Sequence, residues 1–114
     1  MIHEMKLKNA PFQAIQSGKK TIEMRLYDEK RRKLRVGDQI RFRNTENGET
    51  LLCKIIALHC YPTFTELYNH HDKISIGYME NEPALPTDMS AYYADEEIEK
   101  FGVVGVEISL ISEK

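Results

Sequence analysis

The chain has 114 residues, 41% hydrophobic and 30% charged, with a net charge of -2, values that suit one globular domain over residues 1–114 with a single buried core. No stretch approaches the roughly 20 apolar residues of a membrane span, and the N-terminal MIHEMKLKNAPF lacks the basic-then-apolar layout of a signal peptide, so a cytoplasmic protein with reduced thiols is expected. The net charge argues against a generally basic surface, but the charges are segregated: from Lys30 to Arg43 the one acid is Asp38, whereas Glu80 to Glu99 carries seven acids and no base, so a local basic patch is open to this chain.

In chain order, IHEMKLK alternates enough to predict a short strand. NAPFQAIQSG predicts a helix near 10–17, with Pro11 in its first turn, Phe12 and Ile15 on one face at i,i+3, and Gly18 as its stop. In TIEMRLY the period becomes two: Ile22, Met24 and Leu26 alternate with Thr21, Glu23, Arg25 and Tyr27, which is a half-buried strand near 20–27 with its charges on one face. DEKRRKLRVGD reads as a turn or short helical piece, and QIRFRN as a strand near 38–44. Asn47-Gly48 predicts a hairpin turn into a longer strand near 50–60, TLLCKIIALHCY, which Pro62 ends. Its two cysteines, Cys53 and Cys60, separated by six residues, form neither a CxxC pair nor a disulfide framework and are read as buried small hydrophobes.

TFTELYNHH predicts a short helix with Phe64, Leu67 and Tyr68 on one face. The following DKISIGYMENEPALPTDM, with glycine, two prolines and no sustained period, reads as a long, partly ordered loop. SAYYADEEIEKFG predicts a helix near 90–101, acidic at its start, with Lys100 late and Gly102 as its stop, before the strand VVGVEISLI near 103–111. Short strands with helices inserted between them give an α+β fold, with the strands closing a barrel-like sheet and the helices packed around it.

GKKTIEMR at 18–25, with Gly18, Lys20, Glu23 and Arg25, resembles the G-x-K-x-x-E-x-R signature of the ASCH family, relatives of the PUA domain. RLYDEKRRKLRVGDQI and YYADEEIEKFGVVGVEI extend the resemblance, to a compact archaeal and bacterial branch, over nearly the whole chain. The resemblance implies a PUA-like mixed β-barrel with flanking helices and a pocket beside the motif strand, and RNA or nucleoside binding as its role. It also implies an alternative, since some short ASCH proteins are amidohydrolases that remove an acyl group from N4-acylcytidine with a Lys, a Thr and a later Glu. Lys20 stands at the position of that Lys and would be the catalytic residue, Glu23 stands where the Thr would be, and Glu66, Glu80, Glu82, Glu96 and Glu97 are all candidates for the later Glu. A regulatory protein-interaction domain without a small ligand is a third possibility.

The residues support a binding site on their own terms. Residues i and i+2 on a strand lie about 6–7 Å apart, so Glu23 and Arg25 can bond each other or share a ligand. With Lys20 at the strand entrance and Tyr27 at its exit they make a wall of cationic donors, one carboxylate acceptor and a ring, the groups that read a base edge and stack on it. Arg31 and Arg32 in EKRRKLR are candidate phosphate contacts, and of Tyr92 and Tyr93 one is expected in packing while Tyr93 is the candidate at the rim of the site. No metal and no cofactor are expected: His70-His71-Asp72 is a surface loop without a second ligand pair, and no phosphate-cradling or nucleophile-elbow motif occurs.

Overall fold

Alternating sequences build the sheet and short amphipathic helices cover it. The computed structural model describes residues 1–111, which run β1 (Ile2–Leu7), α1 (Asn9–Gln16), β2 (Ile22–Leu26), a 3₁₀ turn (Arg31–Lys33), β3 (Gln39–Asn44), β4 (Thr50–Tyr61), α2 (Phe64–His70), a second 3₁₀ segment (Pro86–Ala91), α3 (Asp95–Phe101) and β5 (Val103–Ile111). The five strands form one sheet in the order β1-β3-β4-β5-β2. β1 is parallel to β3 and the other neighbouring pairs are antiparallel, a mixed α+β arrangement.

The sheet curls until its two outermost strands meet. There Arg25 Nη2 on β2 donates to the carbonyl oxygen of Lys6 on β1 at 2.9 Å. The expected barrel is therefore a half-barrel, joined across its seam by a side chain instead of a backbone ladder. At the start of β2 the backbone donors of Thr21 and Ile22 are taken by the Ser75 carbonyl at 2.9 and 3.0 Å. The hairpin predicted at Asn47-Gly48 joins β3 to β4, with Gly48 at φ 78° and its N–H donating to the Asn44 carbonyl at 2.9 Å, a conformation that suits glycine.

Two apolar clusters flank the sheet. Inside the curl, Phe12 and Ile15 of α1 pack on Ile40, Phe42, Cys53 and Val106. Outside it, Ile22, Met24 and Leu26 of β2 pack with Phe64 and Leu67 of α2 and with Met89. β2 is thus covered on both sides, and its polar face turns into the curl, where Tyr27 packs against the inner cluster.

Three sequence expectations change. The helix expected near 90–101 is divided: a 3₁₀ segment ends at Ala91 and α3 begins only at Asp95, where Glu97 Oε1 accepts the Ala94 N–H at 3.4 Å and fixes the new start. The long loop is wound against the fold. Ile76 and Met89 are buried in the outer cluster, Tyr78 Oη bonds Tyr68 Oη at 2.7 Å and Asp88 Oδ2 at 2.8 Å, and Lys73 Nζ donates to the Glu80 and Glu82 carbonyls, each at 2.7 Å. Finally, Cys53 is buried but Cys60 is exposed. Cys60 lies seven residues after Cys53, so the alternation that buries Leu51, Cys53 and Ile55 does not by itself predict a buried Cys60, and beyond the β-bulge between Ile55 and Ala57 no residue of β4 is fully buried.

Candidate functional site

The ion cluster predicted on the motif strand forms, but it is enclosed. α1 ends at Gln16, and the chain returns so that the Lys20 N–H donates to the Ala14 carbonyl at 3.0 Å. This places the Lys20 side chain at the entrance of β2, beneath Gly77 of the wound segment, where a Cβ on Gly77 would lie 3.2 Å from Lys20 Cδ. Lys20 Nζ meets Glu23 Oε1 at 2.8 Å, and Arg25 Nε meets Glu23 Oε2 at 2.6 Å. Glu23 is 4% exposed and Lys20 8%. Burial pushes the Glu23 carboxyl up, but the charges of Lys20 and Arg25 and their hydrogen bonds outweigh it and hold the group below the ordinary carboxylate range.

The enclosure changes the chemistry open to Glu23. Its oxygens face Lys20, just before the strand, and Arg25 on it, so the carboxylate that the sequence reading turns toward a base amine is engaged within the fold and holds the Arg25 guanidinium. Arg25 is the member of the trio that reaches open space. It lines a cleft of ≈ 350 Å³ at the seam with Glu4, Met5 and Lys6 of β1, Lys30 and Arg31 before β3, and Arg43 of β3. Lys6 and Arg43 are register partners on adjacent strands, like charges held side by side at an energetic cost. The acid of the cleft, Glu4, is paired with Arg41 Nη1 at 2.9 Å.

Arg31 is fixed by Asp28, whose Oδ1 accepts the Arg31 N–H and whose Oδ2 accepts from Nη1, both at 3.1 Å. Arg32 points elsewhere. Its guanidinium lies 4.3 Å from the centre of the Tyr27 ring and its Nη2 donates to the Phe101 carbonyl at 3.2 Å, so Arg32 and Tyr27 are engaged with each other and Arg32 is not part of the cleft wall. Tyr93 stacks on Phe64 with ring centres 6.0 Å apart. Burial pushes its hydroxyl up, with Arg25 pulling the other way. The more exposed ring is Tyr92, at 63%.

Lys6, Arg43 and Glu4 are absent from the sequence-derived site, and Lys30 enters it only as part of the basic run EKRRKLR. The signal of the first three was present as alternation in IHEMKLK and QIRFRN, but Lys6 and Arg43 come together only once β1 lies parallel to β3. Among the described residues none of Glu66, Glu80, Glu82, Glu96 or Glu97 forms an ion pair with Lys20, whose carboxylate partner is Glu23. No group of three or more His, Cys, Asp or Glu among the described residues is placed to hold a metal ion, and no helix among them is long and apolar enough to cross a membrane.

Comparison with known proteins gives this site a family. The ASCH domain profile matches residues 5–112. The hypothetical protein PH0355 has a crystal structure that is 33% identical over 97% of this chain and 100% of its own, with a TM-score of 0.85. PF0455 from Pyrococcus furiosus, solved by NMR, is 31% identical over 99% and 100% of the two chains, with a TM-score of 0.77. A mutant of ZmASCH from Zymomonas mobilis shares the fold at 15% identity, over 97% of this chain and 68% of that one, with a TM-score of 0.66. No curated protein matches. The chain belongs to the ASCH domain family, and its fold is the PUA-like one.

Proposed function

We propose that this ASCH protein, acting as a single domain in the cytoplasm, binds RNA or a nucleoside-containing ligand in the cleft at the β1–β2 seam. The observation that carries the reading is the convergence of Lys6, Arg25, Lys30, Arg31 and Arg43 on one cleft of ≈ 350 Å³ in a chain of net charge -2. Such a concentration of one sign in a concave site focuses the field and draws in anions. The volume falls within the roughly 300–1,000 Å³ of small-ligand pockets.

The roles divide between holding and contacting. Glu23 and Lys20 hold Arg25 in place, and Arg25 spends its Nε on Glu23 and one Nη2 bond on the Lys6 carbonyl, which leaves Nη1 for a ligand carbonyl or phosphate. Lys30 and Arg43 add charge at the opening. A base held here would meet donors, so its carbonyl and ring-nitrogen acceptors are the atoms recognised.

Fluorescence anisotropy with short single-stranded RNAs, and calorimetry with nucleosides and nucleotides, test the reading. Arg43→Ala and Arg25→Ala are each expected to weaken binding about ten- to a hundredfold, the loss of one charge-assisted hydrogen bond. Log affinity should fall with log salt at a slope of about -0.7 per phosphate engaged. Absence of binding to every RNA, nucleoside and nucleotide at low salt refutes it. Turnover of N4-acetylcytidine that disappears in Lys20→Ala would assign the amidohydrolase activity instead.

A further inference from the structure

One buried side-chain nitrogen at the cleft has no partner within the described fold. Arg31 Nε is buried and has no hydrogen-bond partner among the described residues, although the same guanidinium is held at Nη1 by Asp28 Oδ2 at 3.1 Å. A buried charged donor without an acceptor is costly. The cost is sustained because Arg31 cannot swing away: its backbone N–H is tied to the same Asp28 side chain at 3.1 Å, and its neighbour Arg32 is tied to Tyr27 and to the Phe101 carbonyl.

We propose that the cleft contains one discrete phosphate site, in which the Nε–Nη2 edge of Arg31 grips two oxygens of a single phosphate group while Arg25, Lys6 and Arg43 supply the surrounding charge. The inference rests on the binding reading above and sharpens it, from a diffuse basic surface to one anchoring group. Three features favour a phosphate. The Nε–Nη2 edge of a guanidinium carries two parallel N–H donors that match two oxygens of one anion, and because Nε is covered in the free protein a phosphate that engages both displaces the groups above it. Asp28 occupies the Nη1 side, so the fork is pre-oriented before the ligand arrives. The side-by-side cations Lys6 and Arg43 are relieved by an anion placed between them and the Arg25–Arg31 wall of the same cleft.

A phosphate group can come from a nucleotide terminus or from the interior of an RNA strand, and the ligands tested separate the two. Titrations use inorganic phosphate, cytidine, cytidine 5′-monophosphate and the dinucleotide CpC, which has a phosphodiester and no terminal phosphate. They are followed by amide and Arg Nε–H NMR and by calorimetry. The wild type should bind phosphate saturably with the Arg31 Nε–H resonance shifting most, and should bind the monophosphate at least about tenfold more tightly than cytidine. Tight binding of CpC identifies the diester as the source; binding of the monophosphate with CpC no better than cytidine identifies the terminus.

Arg31→Lys keeps the charge but removes the fork, and is expected to lose the preference for the phosphorylated ligand as fully as Arg31→Ala. Arg32→Ala, outside the cleft, should retain it. Circular dichroism melts establish that each variant is folded. An Arg31→Lys protein that still prefers the monophosphate as the wild type does, or phosphate shifts that never saturate and spread evenly over all basic residues, overturns the anchor. If RNA nevertheless binds in that case, the binding reading survives without it. Saturable phosphate binding at Arg31 with no affinity for any nucleotide or RNA would instead uphold the anchor and refute the nucleic-acid reading.

Discussion

Glu23→Gln isolates the energetics of the enclosed cluster, because it preserves shape and removes only the charge between Lys20 and Arg25. The carboxylate makes ion pairs of 2.8 and 2.6 Å and is 4% exposed, so the amide leaves two cations poorly compensated in a covered site. Removing one partner of such a buried group costs about 3–5 kcal/mol, a large part of the roughly 5–15 kcal/mol of a typical domain. At about 4–8 °C per kcal/mol for a chain of this size, the melting temperature should fall by at least about 12 °C. Replacing the whole trio with apolar residues, Lys20→Met with Glu23→Leu and Arg25→Met, should recover most of that loss, since the desolvation of three charges disappears with them.

The acid limb gives a second reading of the same residue. Glu23 is held below its ordinary pKa in the fold, so it contributes stability above the carboxylate range that is lost as pH falls through its depressed value. Melts of Glu23→Gln should therefore be flatter than the wild type below about pH 4.5. A Glu23→Gln protein that melts within about 3 °C of wild type would refute the argument, and would put the cluster with solvated surface pairs of about 0–1 kcal/mol.

Three other outcomes follow from the packing. Gly105→Ala should destabilise by about 1–3 kcal/mol, since its Cβ would lie 3.0 Å from Ile22 Cγ2 and 3.5 Å from Leu67 Cδ1; a urea titration checks it, and the added Ile22→Val should return part of the loss. One thiol of the native protein should react quickly with an aromatic disulfide reagent and two in urea, because Cys60 is exposed whereas burial pushes the Cys53 thiol up to about 11. His71 is depressed by burial, then by His59 and His70, with Glu107 opposing, and its ring bonds Tyr61 Oη at 2.9 Å; stability should be full above the ordinary histidine value of about 6.5 and fall as pH drops through the lowered one. Melting temperatures between pH 8 and 5 should show a smaller decline in His71→Gln than in the wild type.

Most of the strands could be read from the sequence because alternation is a local property. The period of two in TIEMRLY became β2 at Ile22–Leu26, QIRFRN became β3 at Gln39–Asn44, and the turn at Asn47-Gly48 joined β3 to β4 as its residues require. What lies on top of a face is not local. The polar face of β2 looked like a wall awaiting a ligand, but the fold turned it into the curl and covered Lys20 with Gly77, 57 residues further along the chain. The segment 71–91 was illegible for a related reason: its anchors, Tyr68 to Tyr78 to Asp88 and Lys73 to two carbonyls, are polar bonds across seven to ten residues that leave no period behind.

At the seam, the surroundings of the trio depend on pairings that strand alternation does not carry. Sequence spacing puts Glu23 and Arg25 on one face, and the simplest use of a carboxylate beside a cation is to share a ligand. In the fold the two outermost strands approach without a backbone ladder, and Arg25 must bridge them through the Lys6 carbonyl while remaining charged in a covered position. A guanidinium so placed needs an anion at its back, and Glu23 meets that need at 2.6 Å. Lys20 completes the charge on the other oxygen at 2.8 Å. The motif residues thereby secure the closure of the half-barrel, and Arg25 shares the cleft with Lys30 and Arg31 a few residues further along and with Lys6 and Arg43, which come from β1 and β3 and stand side by side through the parallel pairing of those strands.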